Sequence, residues 1–169
     1  AVNLREDDEL IAAFLTDGSK NIFVATRNGM GIKFNESNVR PMGRTETGVK
    51  AITLGEGDYV VSSDIVEEGD KLLNVTENGY GKRSDESAFN VQYRGGKGVK
   101  IHQITEKTGL LSGVIKVGDN EELMIVTSEG VIIRLRGKEI STFGRISQGV
   151  KLINLGAGVS VAGVAKDRK

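Results

Sequence analysis

At 169 residues, with 38% hydrophobic and 27% charged side chains, the chain is long enough to bury a core as one domain, and its composition is neither disordered nor membrane-spanning. It has no apolar run of the roughly 18 residues a spanning helix needs, no apolar signal-peptide core at its start, and no cysteine, which removes disulfides and thiolate metal sites and fits a reducing, cytoplasmic setting. Lys and Arg total 23, as do Asp and Glu, and a formal charge of zero argues at first against a nucleic-acid partner.

Taken in chain order, the elements repeat about every 50 residues. An apolar segment from Glu9 to Leu15 precedes the turn sequence Ala25-Thr26-Arg27-Asn28-Gly29-Met30-Gly31. The segment returns as Asp58 to Ile65, and the turn sequence as Val75-Thr76-Glu77-Asn78-Gly79-Tyr80-Gly81. A third segment, Leu110 to Val117, precedes Val126-Thr127-Ser128-Glu129-Gly130, and a fourth, Val159 to Ala165, has no hairpin after it. Runs of Val, Ile and Leu between glycine-containing turns are a strand and hairpin signature, and no stretch keeps a helical period over 10 residues. The second copy predicts strands at 58–65, 71–76, 80–84 and 98–104, with Asn78-Gly79 as a tight turn in which both residues tolerate positive φ. The chain is therefore expected to be all-β, a propeller-like array of four-stranded blades with about three visible in one domain spanning 1–169. The copies cover approximately 8–57, 58–108 and 109–158, with a trailing strand at 159–165. That pattern predicts a cut through a larger ring, whose terminal edges either pair with one another or are covered by chain outside it.

Charge is distributed by the same period. Windows 32–50, 82–100 and 133–151 hold 4, 5 and 5 Lys and Arg against 2, 2 and 1 Asp and Glu, so these 57 residues carry +9 and the other 112 carry −9. A neutral molecule with one basic rim is able to hold a polyanion there. The candidate contacts are Lys33, Lys82 or Arg83, and Arg134 with Arg136 on the strand after each hairpin, where alternation predicts a solvent-facing side. Lys138 lies just beyond them. Arg44, Arg94 and Arg145 each stand fifteen residues after a hairpin glycine, and two roles fit them: bonding loop carbonyls or contacting phosphate. Lys50, Lys100 and Lys151 close three Gly-Val-Lys sequences and are expected to point outward beside a core strand. With no helix to enter a major groove and few aromatics, the expected contacts are to backbone phosphates.

One loop is specialised. Gln92-Tyr93-Arg94-Gly95-Gly96-Lys97-Gly98 combines two cations with three glycines, which let the backbone turn through positive φ and bring amide donors close to a phosphate. Gly98 has counterparts in Gly48 and Gly149 and reads as structural, whereas Gly95 and Gly96 have none.

This loop resembles the glutamine, basic, arginine, Gly-Gly, basic, glycine heptad of the C-terminal domain of DNA gyrase A. The stretches Gly55-Glu56-Gly57-Asp58, Glu77-Asn78-Gly79-Tyr80-Gly81-Lys82-Arg83, Glu139-Ile140-Ser141 and Gly144-Arg145-Ile146-Ser147-Gln148-Gly149-Val150 resemble that family too. The resemblance implies a β-pinwheel in which neighbouring blades exchange a strand, with this chain as the last three blades. It implies a domain that binds and wraps double-stranded DNA on its rim to support negative supercoiling, in a bacterial, nucleoid-associated enzyme formed with the rest of gyrase A and with gyrase B. The chain departs from the heptad at Tyr93, where a second basic residue is usual, and in carrying it in the second copy rather than the first blade. Two alternatives are the equivalent domain of topoisomerase IV, which binds DNA without wrapping it, and a propeller-like scaffold for an acidic protein.

No catalytic constellation appears. His102 is the only histidine and reads as a packed or surface residue, there is no Gly-x-Ser-x-Gly elbow, and Gly96-Lys97-Gly98 is not a nucleotide loop. The acidic clusters Glu6-Asp7-Asp8-Glu9, Glu67-Glu68-Gly69-Asp70 and Asp119-Asn120-Glu121-Glu122 recur just before strands, and against the alternative of holding a divalent ion they read as solvated turns that repel DNA from the other face. No cofactor, metal or membrane partner is expected.

Overall fold

The structure, a computed structural model, describes residues 20–38, 52–144 and 147–166. They form eleven strands: β1 (Asn21–Thr26), β2 (Met30–Asn35), β3 (Val60–Val66), β4 (Lys71–Thr76), β5 (Tyr80–Asp85), β6 (Val99–Lys100), β7 (Leu111–Lys116), β8 (Glu122–Thr127), β9 (Ile132–Arg136), β10 (Val150–Lys151) and β11 (Val161–Lys166). Three single 3-10 turns, Glu36–Asn38, Glu86–Ala88 and Gly137–Glu139, follow β2, β5 and β9. The acidic cluster Glu6 to Glu9, the expected segment Glu9 to Leu15 and the loop holding Arg44 and Lys50 lie outside the described residues, as does Arg145.

The three hairpins β1–β2, β4–β5 and β8–β9 use one device. In the second, Gly79 N–H donates to the Thr76 carbonyl at 3.1 Å, and the Thr76 hydroxyl accepts from Tyr80 N–H at 3.1 Å. Thr26 and Thr127 repeat both bonds. The turning glycines 29, 79 and 130 sit at φ of +82°, +87° and +82°. Asparagine tolerates positive φ but does not take it in these turns, since among the described residues only glycines adopt it. A turn closed by one left-handed glycine leaves the asparagine side chain free for other bonds. Asn78 uses its amide to donate to the Glu106 and Lys107 carbonyls, both at 3.2 Å.

The sheets do not coincide with the sequence copies. Their orders are β3-β1-β2-β6, β10-β5-β4-β7 and β11-β8-β9. Each hairpin thus takes its neighbours from further along the chain. β3, expected to open the second copy, pairs with β1 (Ile22↔Ile65, Val24↔Ser63), and β6 pairs with β2 (Met30↔Lys100, Gly31↔Val99). β7 and β10 do the same for the second hairpin. The trailing segment does not hang free: as β11 it closes the third sheet against β8. This is the strand exchange between neighbours that the resemblance implies.

The crossing strands are shorter than the expected 98–104. Gly98 (φ +77°) and Gly149 (φ +76°) bring the chain so close to β2 and β5 that a Cβ on either would run into the Gly31 or Gly81 carbonyl. Beyond Lys100 the chain dives, and Ile101 and His102 are fully buried.

Two apolar cores lie between successive sheets. Phe23, Ala25, Val66, Leu72, Phe89, Ile101, Leu111 and Val114 form the first, with the Phe23 and Phe89 rings 5.0 Å apart and tilted. Leu73, Val75, Val117, Leu123, Ile125, Ile140, Ile153 and Val161 form the second. A strand between two cores is covered on both faces, so Tyr80 to Ser84 of β5 are all buried, whereas β9, with no fourth strand beside it among the described residues, alternates between half-buried and exposed.

Candidate nucleic-acid interface

Double coverage of β2 and β5 decides the fate of the first group of expected contacts. Lys33, Lys82 and Arg83 are 5%, 0% and 5% exposed, which corrects the expectation that they face solvent. Alternation holds, since neighbours in a strand point to opposite faces, but here neither face is wet.

Each buried cation ties one blade to the next. Lys33 Nζ meets Glu86 Oε1 at 2.5 Å and the Glu86 carbonyl at 3.2 Å, in the 3-10 turn after β5. Arg83, its counterpart one copy on, donates to the Ile140 carbonyl at 2.9 Å and to Asp119 at 2.6 Å. The bond to Asp119, with the Arg83 charge beside it, holds the Asp119 carboxyl below its ordinary range. Lys82 points the other way and donates to the carbonyls of Gly144 and Ser147, both at 2.8 Å. Arg134, third in the series, is exposed on β9 together with Arg136, and Arg136 Nε lies 3.7 Å from Glu122.

The remaining cations sit on outer edges. β7 packs against both β3 and β11, so the opposite ends of the sheet orders, β6, β10 and β9, are the strands remote from that inner contact. Lys100 on β6 and Lys151 on β10 are exposed at equivalent registers, opposite Met30 and Tyr80. Lys138 is exposed in the turn after β9. The perimeter of the described residues therefore offers Lys97, Lys100, Arg134, Arg136, Lys138 and Lys151, with Arg94 half-buried beside them.

The glycine-rich loop is strapped from below by Thr53, whose N–H donates to the Gly96 carbonyl at 2.8 Å and whose hydroxyl bonds the Gly95 carbonyl. Gly95 has φ of +87° and Gly98 +77°, so both need glycine, whereas Gly96 does not take positive φ and would accept a Cβ 3.7 Å from Ile32. Gln92 N–H donates to the Lys33 carbonyl at 2.7 Å, which hands the loop across to the first sheet. Tyr93 is 84% exposed and Lys97 is exposed, so the loop presents a ring and a cation to solvent.

The acidic turns serve the frame. The Asp70 carboxylate accepts from Glu67 N–H at 2.8 Å, Glu67 pairs with Lys20 at 2.6 Å, and Glu121 pairs with Lys166 at 2.7 Å.

The chain matches the family model described as DNA gyrase C-terminal domain, beta-propeller, over residues 1–17, 20–67, 70–117 and 121–166. The chain belongs to the DNA gyrase C-terminal domain family. Over 168 residues it is 51% identical to the DNA gyrase A protein of Staphylococcus aureus strain MRSA252, an alignment covering 98% of this chain and 19% of that protein. The chain thus spans about a fifth of the curated relatives it matches. Among solved structures, the C-terminal domain of DNA topoisomerase IV aligns at a TM-score of 0.90 and 28% identity, covering 98% of this chain and 52% of that one. The DNA gyrase A C-terminal domain aligns at 0.87 and 28%, covering 98% and 56%.

Within this gyrase-type frame, the buried ties at Glu86, Asp119 and Ile140 had one sequence signal. Position 33/83/134 is basic in every copy, and a feature shared by all copies points to architecture. Thr53 had none, because its partners are backbone atoms.

Proposed function

We propose that this chain binds double-stranded DNA through its phosphates and bends it along the outer sheet edges, without catalysis of its own, as a C-terminal piece of a gyrase-type topoisomerase that works in the bacterial cytoplasm, together with the rest of gyrase A and with gyrase B. The observation that carries this reading is the recurrence of Lys100 and Lys151 at one register on successive perimeter strands, with Lys97, Arg134 and Arg136 on the same side of the sheet orders. Smoothly bending a site of a few helical turns costs on the order of 1–6 kcal/mol, and phosphate neutralisation with counterion release is what this surface has to offset it. Affinity should therefore fall steeply with salt and vary little with base sequence.

Titrating random duplex with the chain from about 50 to 200 mM salt tests this. A duplex left unbound at low salt would remove DNA as the partner and leave the protein-scaffold alternative. The two solved likenesses have equal identity and similar TM-scores, so backbone shape does not separate gyrase from topoisomerase IV; the 51% identity to the gyrase A protein supports the gyrase side.

A further inference from the structure

The two chain crossings, 92–100 onto the first sheet and 147–151 onto the second, share a positive-φ glycine, Gly98 or Gly149, and an edge pairing at one register, and have different floors. Under the first lie Ile32 and Ile52, both buried in a small apolar cluster, and Thr53 N–H donates up to Gly96. Under the second the same positions are Lys82 and His102, both fully buried, and Gln103 N–H donates to the Ser147 carbonyl at 3.2 Å. Lys82 Nζ takes the Gly144 and Ser147 carbonyls, and His102 Nε2 lies 2.9 Å from the Gln148 carbonyl. That contact makes Nε2–H the donor of a neutral ring. Burial and the neighbouring Lys82 charge lower the imidazole's pKa to about 4, and Nδ1 is left buried with no hydrogen-bond partner.

Burying an ammonium and an imidazole where the sister crossing uses two isoleucines costs desolvation energy, and the apolar solution evidently fits the same frame. What the polar floor adds to the strap N–H that both crossings share is side-chain anchorage of three carbonyls, Gly144 and Ser147 on Lys82 and Gln148 on His102. The peptide planes are trans, so a carbonyl aimed inward sends the following N–H outward. With the Ser147 carbonyl held by Lys82 and by the Gln103 N–H, the Gln148 N–H faces away from the sheet, immediately before the Gly149-Val150-Lys151 crossing that puts Lys151 on the edge of β5.

We propose that Lys82 and His102 are positioning residues that orient the 147–151 segment, so that the Gln148 amide and the Lys151 ammonium meet one DNA phosphate. The proposal rests on the DNA-binding function above and assigns Lys82 an indirect part in place of the direct contact expected from the sequence.

The test is a double-mutant cycle on duplex affinity, read by fluorescence anisotropy with a random duplex at fixed salt. The floor variant joins Lys82→Ile with His102→Ile, copying the first crossing, and is combined with Lys151→Ala and, separately, with Lys97→Ala. The floor variant should weaken binding about three- to ten-fold, add almost nothing on top of Lys151→Ala, and multiply with Lys97→Ala, which lies on the other crossing. A merely structural floor would multiply with both, and that result, or wild-type affinity in the floor variant, overturns the proposal. Should the double floor variant not fold, His102→Asn alone goes through the same two cycles with the same deciding outcomes. A wild-type chain that leaves the duplex unbound is a distinct failure, which defeats the DNA function itself and this proposal with it.

Discussion

Single residues in this chain are read wrongly when charge is counted without coverage. Lys33 and Arg83 look like rim cations, and each instead spends its charge on the neighbouring blade, at Glu86 and at Asp119 with the Ile140 carbonyl. His102 is the titratable residue whose burial has a measurable signature. Its folded pKa of about 4 lies below the ordinary 6.5, so between those values the unfolded chain binds the proton and the folded one does not. The stabilisation is complete above about pH 6.5 and is lost as pH falls through the window towards 4, up to on the order of 3 kcal/mol. Thermal unfolding followed from pH 7.5 to 4.5 should show a falling midpoint, and His102→Asn should flatten that fall. An equal pH slope in the variant would place the titration on other groups.

At the level of the element, strand position was legible and strand partnership was not. Alternating apolar character and the hairpin glycines locate β4 and β5 within a residue, because local spacing alone sets them. The same local pattern assigns β3 to the wrong hairpin, since pairing depends on which edge is open when the chain returns. The ion pair between Lys33 and Glu86 stands at such a junction, with side chains 5% and 9% exposed. Lys33→Met should cost about 3 kcal/mol in urea unfolding by leaving the Glu86 carboxylate buried and unpaired, and Lys33→Met with Glu86→Leu should recover most of it. A single variant as stable as the wild type would show that the pair does not hold the blades together.

For the whole molecule, the outcome is a neutral protein in which, among the described residues, Lys97, Lys100, Arg134, Arg136, Lys138 and Lys151 are exposed along the outer sheet edges. Buried cations release no counterions, so the salt dependence of DNA binding should count only the exposed ones. Replacing Arg94 and Lys97 with alanine should weaken duplex binding and reduce the slope of log affinity against log salt by about 2, while Lys33→Met should leave the slope unchanged. Equal slopes for the Arg94/Lys97 variant and the wild type would take the glycine-rich loop out of the interface.

Period, turn chemistry and the basic windows were determined by the sequence alone, because each depends on residues a few positions apart. So was the family, through stretches such as Gln92 to Gly98. Which cations meet solvent was decided only by tertiary structure. Exposure at Lys82 or Arg83 depends on whether chain about 60 residues further on folds back over β5, and no local pattern carries that fact. Where such cover is present the charge becomes mortar between blades, and at Arg134, where no strand lies alongside β9 among the described residues, the same position is exposed.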